Sequence, residues 1–203
     1  MDDEDEYVVQ SDTAFEIYGE QNISNTYTVT LDTAIKAPSE YRNLFQLLRN
    51  ATDKDIIKFH INSPGGMLGT GIPLYNAILG TQAFTIAVVE FEASSAATLP
   101  VIACDKVFMM PGSYLMVHNA SYGVPRMKVK DVRSYVDFSD NMLNEWVKDT
   151  YEGFLTEQEL IDVMENGKDL FIRADEVQER LDRRLALLEE EFDENSSEEV
   201  ESC

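Results

Sequence analysis

The sequence predicts an α/β fold built from parallel βαβ units, and three observations carry that prediction. Between residues 26 and 110, short β-rich stretches alternate with helical ones. Phe84–Val89 is continuously apolar, as in a strand covered on both faces. From about Lys130 the pattern becomes helical and stays so, with apolar residues recurring at helical spacing.

The elements follow in chain order. Thr26–Leu31 alternates and is rich in Thr, Tyr and Val, so it reads as a strand. Pro38 opens a helix whose buried face is Tyr41, Leu44, Phe45 and Leu48. Ile56–Ile61 is a strand that runs into the breaker cluster Asn62-Ser63-Pro64-Gly65-Gly66. A helix follows through Leu79 and is closed by Gly80. Phe84–Val89 is the next strand. The small residues Ala93–Ala97 lead into an apolar helix that ends near Cys104. Val107–Met110 and Tyr114–Val117 flank Pro111-Gly112 as two short strands. Val132, Tyr135, Val136, Met142, Leu143, Trp146 and Val147 share one stripe of the longest helix. Thr156 and Glu159 form a capping-box pattern, with Leu155 and Leu160 as its staple, and Gly167 ends that helix. Ala174 begins the last helix, which carries Val177, Leu181, Leu185, Leu188 and Phe192 on its apolar side.

Composition bounds the function. The 203 residues give an ordinary globular chain, 44% hydrophobic, with a formal charge of −22. Residues 2–6 hold five acids, and residues 189–203 hold eight more with no base, so the body carries about −9. Such a balance argues against nucleic acid as a partner, because binding phosphates needs basic side chains. No apolar run is long enough to cross a membrane, and the start at Met1 is acidic rather than signal-like. A cytoplasmic protein is expected, with 1–24 a flexible acidic segment, 25–188 one domain and 189–203 a disordered acidic tail. Neither Cys104 nor Cys203 has metal-ligand spacing.

Four features can carry chemistry. Gly65-Gly66, at the end of a strand and ahead of a helix, leaves backbone N–H groups open to a ligand, though a tight turn also needs glycine. Ser94-Ser95 sits among small residues between a strand and a helix, where a nucleophile or an ordinary helix cap would sit. His118 follows the strand Tyr114–Val117; the second histidine, His60, lies in the strand before the glycines. Asp169 precedes the apolar Leu170-Phe171-Ile172 and could orient an imidazole, as could its neighbours Asp162 and Asp175.

Together these segments resemble one family. Asn62-Ser63-Pro64-Gly65-Gly66 is similar to the signature of the ClpP-type serine peptidases. Without a gap, that match places Ala93-Ser94-Ser95 on the family's nucleophile segment. Leu115-Met116-Val117-His118 resembles the segment ending in its histidine, and Asp169-Leu170-Phe171 its aspartate segment. The resemblance covers roughly residues 26–180. It implies the ClpP/crotonase-like spiral of βαβ units, with Val132–Val147 protruding to join one ring to another. It implies a triad of Ser95, His118 and Asp169, and an oxyanion hole from the backbone N–H groups of Gly66 and Ala96. It further implies no metal or other cofactor, protein or peptide substrates, a homo-oligomeric ring, stacked in pairs, and an ATP-driven unfoldase as partner.

The chain also departs from the pattern. Phe91 stands where the family has glycine, Ala96 where it has methionine, and Asn119-Ala120 where it has Gln-Pro. Arg183, Arg184 and Leu185 replace the usual glycine-containing segment after the aspartate helix. This divergence, with the acidic ends, resembles a phage-encoded member acting in host cytoplasm. Three alternatives stay open: a phage head-maturation protease of the same fold, an inactive subunit of a mixed ring, and an acyl-CoA enzyme of the crotonase type. The Ser, His, Asp order argues against the last.

Overall fold

The computed structural model describes residues 24–201 except 122, 124 and 125, and the backbone of 7–9 and 17–19; side chains are described for residues 24–190. Two short strands, β1 (Tyr7–Val9) and β2 (Ile17–Gly19), pair antiparallel within the segment expected to be flexible, whose other residues below 24 lie outside the described residues. The main sheet has six strands: β3 (Thr26–Leu31), β4 (Ile56–Ser63), β5 (Phe84–Ser94), β6 (Lys106–Met109), β7 (Tyr114–Val117) and β8 (Leu170–Arg173). The order runs β3-β4-β5-β7-β8, with β6 also paired to β5. Only β8 is antiparallel, against β7; every other pair is parallel, as the strand–helix alternation requires.

β5 organises this sheet. It is longer than the apolar run Phe84–Val89 and extends to Ser94. Its first half pairs with β6 over Ile86–Val89, and its second half pairs with β7 over Glu92–Ser94. A register shift in β4 between Ile61 and Ser63 lets Ser63 pair with Ala93. The carboxyl ends of β4, β5 and β7 therefore converge, which is where parallel sheets place their ligands.

Helices α1 (Arg42–Asn50), α2 (Leu68–Leu79), α3 (Thr98–Ala103), α4 (Val129–Tyr151), α5 (Glu157–Met164) and α6 (Ala174–Glu201) complete the fold. Pro38 opens a single 3-10 turn ahead of α1, whose Phe45 and Leu48 are buried as their spacing predicts. Gly80 closes α2. The capping box at Thr156 is formed in full. One core joins Ile57, Phe59 and Ile61 of β4 and Ala87 and Val89 of β5 to Leu74 of α2 and Leu99 of α3. Each large side chain buried there contributes about 1.5–3 kcal/mol.

Two helices differ from the sequence reading. α4 is longer than Val132–Val147, and its two halves differ. Leu143, Val147, Thr150 and Tyr151 are buried, whereas Val129, Phe138 and Met142 are exposed. α6 continues to Glu201, through most of the stretch expected as a disordered tail. Residues 189–201 contain neither Gly nor Pro and are rich in glutamate, a good helix former.

No helix among the described residues is long and apolar enough to cross a membrane. Asp55 ties the strand ends together. Its carboxylate accepts from the Asn25 N–H and Nδ2, and from the Thr52 N–H and hydroxyl, at 2.9–3.1 Å. The Thr52 N–H first, then the Asn25 side chain, lower its pKa to about 2. A pKa depressed on folding stabilises above the ordinary value near 3.8, and that stabilisation is lost as pH falls through about 2. Asp55→Asn should lower the melting temperature at neutral pH. It should also flatten part of the wild-type loss of stability between about pH 4 and pH 2, followed by circular dichroism; Glu159, also held at about 2, keeps the remainder.

Candidate active site

The site lies where β4, β5 and β7 end. Ser95 follows β5 directly, in the 3-10 turn Ser95–Ala97 that leads into α3. It has φ +55°, the one positive φ at a non-glycine residue among those described. Such a backbone costs of order 1–3 kcal/mol and persists only where its surroundings enforce it. The result is a sharp elbow that lifts the Ser95 side chain off the strand line.

The glycines are part of that enforcement. Gly65 has φ +87°, and a Cβ built on it would lie 2.4 Å from the Ser94 carbonyl oxygen and 2.6 Å from the Ser95 Cβ. Only glycine lets the turn pass so close to the elbow. Gly66 has φ +147°, and a Cβ there would meet the Ile35 carbonyl at 2.3 Å. Ile35 donates to the Gly65 carbonyl at 2.8 Å, and Met67 donates to the Ile35 carbonyl at 2.9 Å. Those bonds use the groups on either side of Gly66 and leave its own N–H on the opposite side of the strand-like segment. Ser63 braces the same turn, donating to the Thr33 carbonyl at 2.7 Å and accepting from the Gly65 N–H at 3.2 Å.

β7 delivers His118 to the elbow, with its Nε2 2.8 Å from Ser95 Oγ. An imidazole at this distance can take the hydroxyl proton as the oxygen attacks. Ser94 is occupied elsewhere: it is buried and donates to Glu92 Oε1 at 2.6 Å. His60 is far from this chemistry in role, its Nδ1 lying 2.9 Å from Glu90 Oε1 on a half-exposed face. A cleft of about 170 Å³ opens over the pair, lined by Gly66, Ser95, Ala96 and His118 and walled by Trp146 and Tyr151 of α4.

Asp169 stands one step before β8. The antiparallel ladder ends on the pair Val117–Leu170, which sets Asp169 opposite His118. Asp169 is exposed, and no hydrogen bond joins the two side chains among the described residues. The other acids considered are engaged. Asp162 accepts from Lys168 Nζ and Asn166 Nδ2, each at 2.8 Å, and Asp175 pairs with Arg173 at 3.3 Å.

A family comparison says what kind of chain carries this site. The Clp protease family matches residues 10–180. The chain belongs to the Clp protease family. A search of the curated proteins finds no match. Membership in the Clp protease family implies a serine peptidase of the ClpP type and agrees with the mostly parallel sheet. Two residues near the site had no functional signal in the sequence. Thr98 donates to the Ser95 carbonyl at 2.7 Å and lies 2.5 Å from the Tyr151 hydroxyl. Thr98 is three residues past Ser95, a spacing at which a threonine can bond back to the chain; Tyr151 is too distant in sequence for any such pattern.

Gly65→Ala in this Clp protease should place a methyl inside the elbow. Overpacking and the left-handed backbone together predict a destabilisation of roughly 2–4 kcal/mol in denaturant melts. The variant that still folds should hydrolyse peptide at least about tenfold more slowly, because the Ser95 backbone has to move to admit the methyl.

Proposed function

We propose that this chain is an active serine endopeptidase in which Ser95 is the nucleophile, His118 the general base and Asp169 the residue that orients the imidazole. The contact that carries the reading is the 2.8 Å approach of His118 Nε2 to the hydroxyl of a serine held at φ +55°. Ser95 attacks the peptide carbonyl while His118 takes its proton. The acyl-enzyme forms as His118 returns that proton to the leaving amine, and water then repeats the cycle in reverse. The N–H groups of Gly66 and Ala96 face the oxygen that becomes negative. Asp169, set opposite His118 just past the Val117–Leu170 end of the β7–β8 ladder, supports the imidazolium.

A fluorophosphonate probe with mass spectrometry tests the assignment. The adduct should sit on Ser95, and it should vanish in Ser95→Ala and persist in Ser94→Ala. An adduct on Ser94 would reject the nucleophile. No adduct on folded, assembled protein would favour the non-catalytic subunit of a mixed ring. Asp169→Asn should lower kcat by about 10³–10⁴-fold while leaving assembly intact, whereas Asp162→Asn should change it little. Equal effects from both would remove Asp169 from its role.

The same reading places the reaction inside a ring-shaped chamber fed by an ATP-dependent unfoldase. Support comes from α4, whose outer half leaves Val129, Phe138 and Met142 exposed. Exposed large apolar side chains such as Phe138 and Met142, about one helical turn apart, mark an interface. Light scattering should give a mass many times 23.0 kDa. Met142→Asp should weaken assembly and lower peptidase activity together. A variant that is monomeric and fully active would uncouple the ring from the chemistry.

A further inference from the structure

The Tyr151–Thr98 contact has a proton inventory that fixes its direction. The Ser95 carbonyl can only accept, so the single Thr98 hydroxyl proton goes to it, at 2.7 Å. Thr98 Oγ1 then has no proton left to give Tyr151, so the tyrosine hydroxyl donates to it, at 2.5 Å. The relay runs Tyr151 O–H to Thr98 O–H to the Ser95 carbonyl. Both side chains are buried, Thr98 at 0% and Tyr151 at 4% exposure, so water does not compete for these bonds. Burial also pushes the Tyr151 hydroxyl up to about 12, which keeps its proton in place at any working pH.

Together with the Thr98 backbone N–H, which donates to the same carbonyl, the relay holds the Ser95–Ala96 peptide unit. That unit is planar and trans, so its C=O and its N–H point in opposite directions. Fixing the Ser95 carbonyl against Thr98 fixes the direction of the Ala96 N–H. The Ala96 N–H points away from α3, and Ala96 lines the cleft beside Ser95. Donors on the carbonyl also polarise the amide and make its N–H a stronger donor. A threonine bonding back to the carbonyl three residues earlier is common in helices and alone would mean little. The second hydroxyl, brought from the end of α4 at a separation of 53 residues, is not part of that local habit.

We propose that Thr98 and Tyr151 are positioning residues for oxyanion stabilisation, setting and polarising the Ser95–Ala96 peptide so that the Ala96 N–H meets the charge that develops on the substrate oxygen. This inference rests on the reading of Ser95 as the nucleophile. Thr98 does not line the cleft, and the Tyr151 ring that walls it is kept in Tyr151→Phe, so the hydroxyls act through the Ser95–Ala96 backbone.

The test uses the assembled full chain, a fluorogenic peptide and the fluorophosphonate probe. Thr98→Val keeps the side-chain shape and removes the hydroxyl. It should lower kcat about 10–100-fold with KM within about twofold, and slow Ser95 labelling in parallel. Thr98→Ser restores the hydroxyl and should return kcat to within about threefold of wild type. Tyr151→Phe should lower kcat about 3–10-fold, and the double variant with Thr98→Val should be no worse than Thr98→Val alone, because Tyr151 acts only through Thr98. Wild-type kcat in Thr98→Val, or a Thr98→Ser as defective as Thr98→Val, overturns the proposal. So does a double variant in which the two losses multiply. Should Thr98→Val fail to fold, Tyr151→Phe decides alone: a kcat loss at constant KM supports the relay and an unchanged kcat ends it. An inactive, unlabelled wild type would instead sink the serine-peptidase reading, and the relay with it.

Discussion

The close passage of the glycine turn against the backbone of Ser95 is the constraint on which the site depends. Ser95 occupies a left-handed conformation that an ordinary serine avoids, and the chain provides no local reason for it. The enforcement comes from outside. Gly65 presses against Ser94 and Ser95 where no side chain fits, and Ile35 clamps the far side of the same turn through two backbone bonds. Thr98 holds the carbonyl from below. The fork in β5, with β6 beside its first half and β7 beside its second, brings the histidine to the same point. Strain at one residue is thus spread over a sheet whose burial supplies far more free energy than the elbow consumes.

Sequence made the frame of this site legible and left parts of its wiring hidden. The parallel strands were readable because Phe84–Val89 is apolar throughout and because breakers separate each strand from its helix. The preference for Ser95 over Ser94 came from the gap-free spacing from the glycines; that the Ser94 hydroxyl is bonded to Glu92 is visible only in the fold. His118 was readable as the residue after a strand, yet that Asp169 stands opposite it depends on a register that no local pattern encodes. The N-terminal hairpin escaped notice because strands of three residues carry too few positions to show an alternation. Tyr151 reads only as one more apolar residue ending a helix stripe.

Departures from the family pattern have structural counterparts. Phe91, in place of a glycine, stacks edge-on against Tyr114, with ring centres 5.6 Å apart, and Tyr114 in turn leans on Phe171. An aromatic row therefore crosses β5, β7 and β8 just outside Ser95 and His118. Ala96, in place of methionine, lies so close to α2 that a Cβ on Gly71 would meet its own Cβ at 3.1 Å. Asn119, beside the histidine, donates from Nδ2 to the Met164 carbonyl at 3.0 Å and pins the β7 exit to the end of α5.

The arginines of α6 extend that logic to α4. The last carbonyls of a helix have no partner within it and carry partial negative charge. Arg184 donates to the Glu152 carbonyl at 2.8 Å, and Arg183 donates to the carbonyls of Gly153 and Phe154 at 2.7 and 2.8 Å. Arg180 binds both Glu159 oxygens at 2.8 Å. Three successive carbonyls after α4 are thereby held by cations from one helix, immediately past Tyr151. Arg184 is itself buried and reaches the Tyr75 hydroxyl at 3.2 Å, while Tyr75 packs edge-on against Trp146. α4 is consequently anchored at its C-terminal end from α6 and α2. The anchored end is the one that meets Thr98 and walls the cleft, while Val129, Phe138 and Met142 are exposed elsewhere on the same helix. A single helix thus joins exposed apolar side chains to the backbone of Ser95, through a path of two hydroxyls.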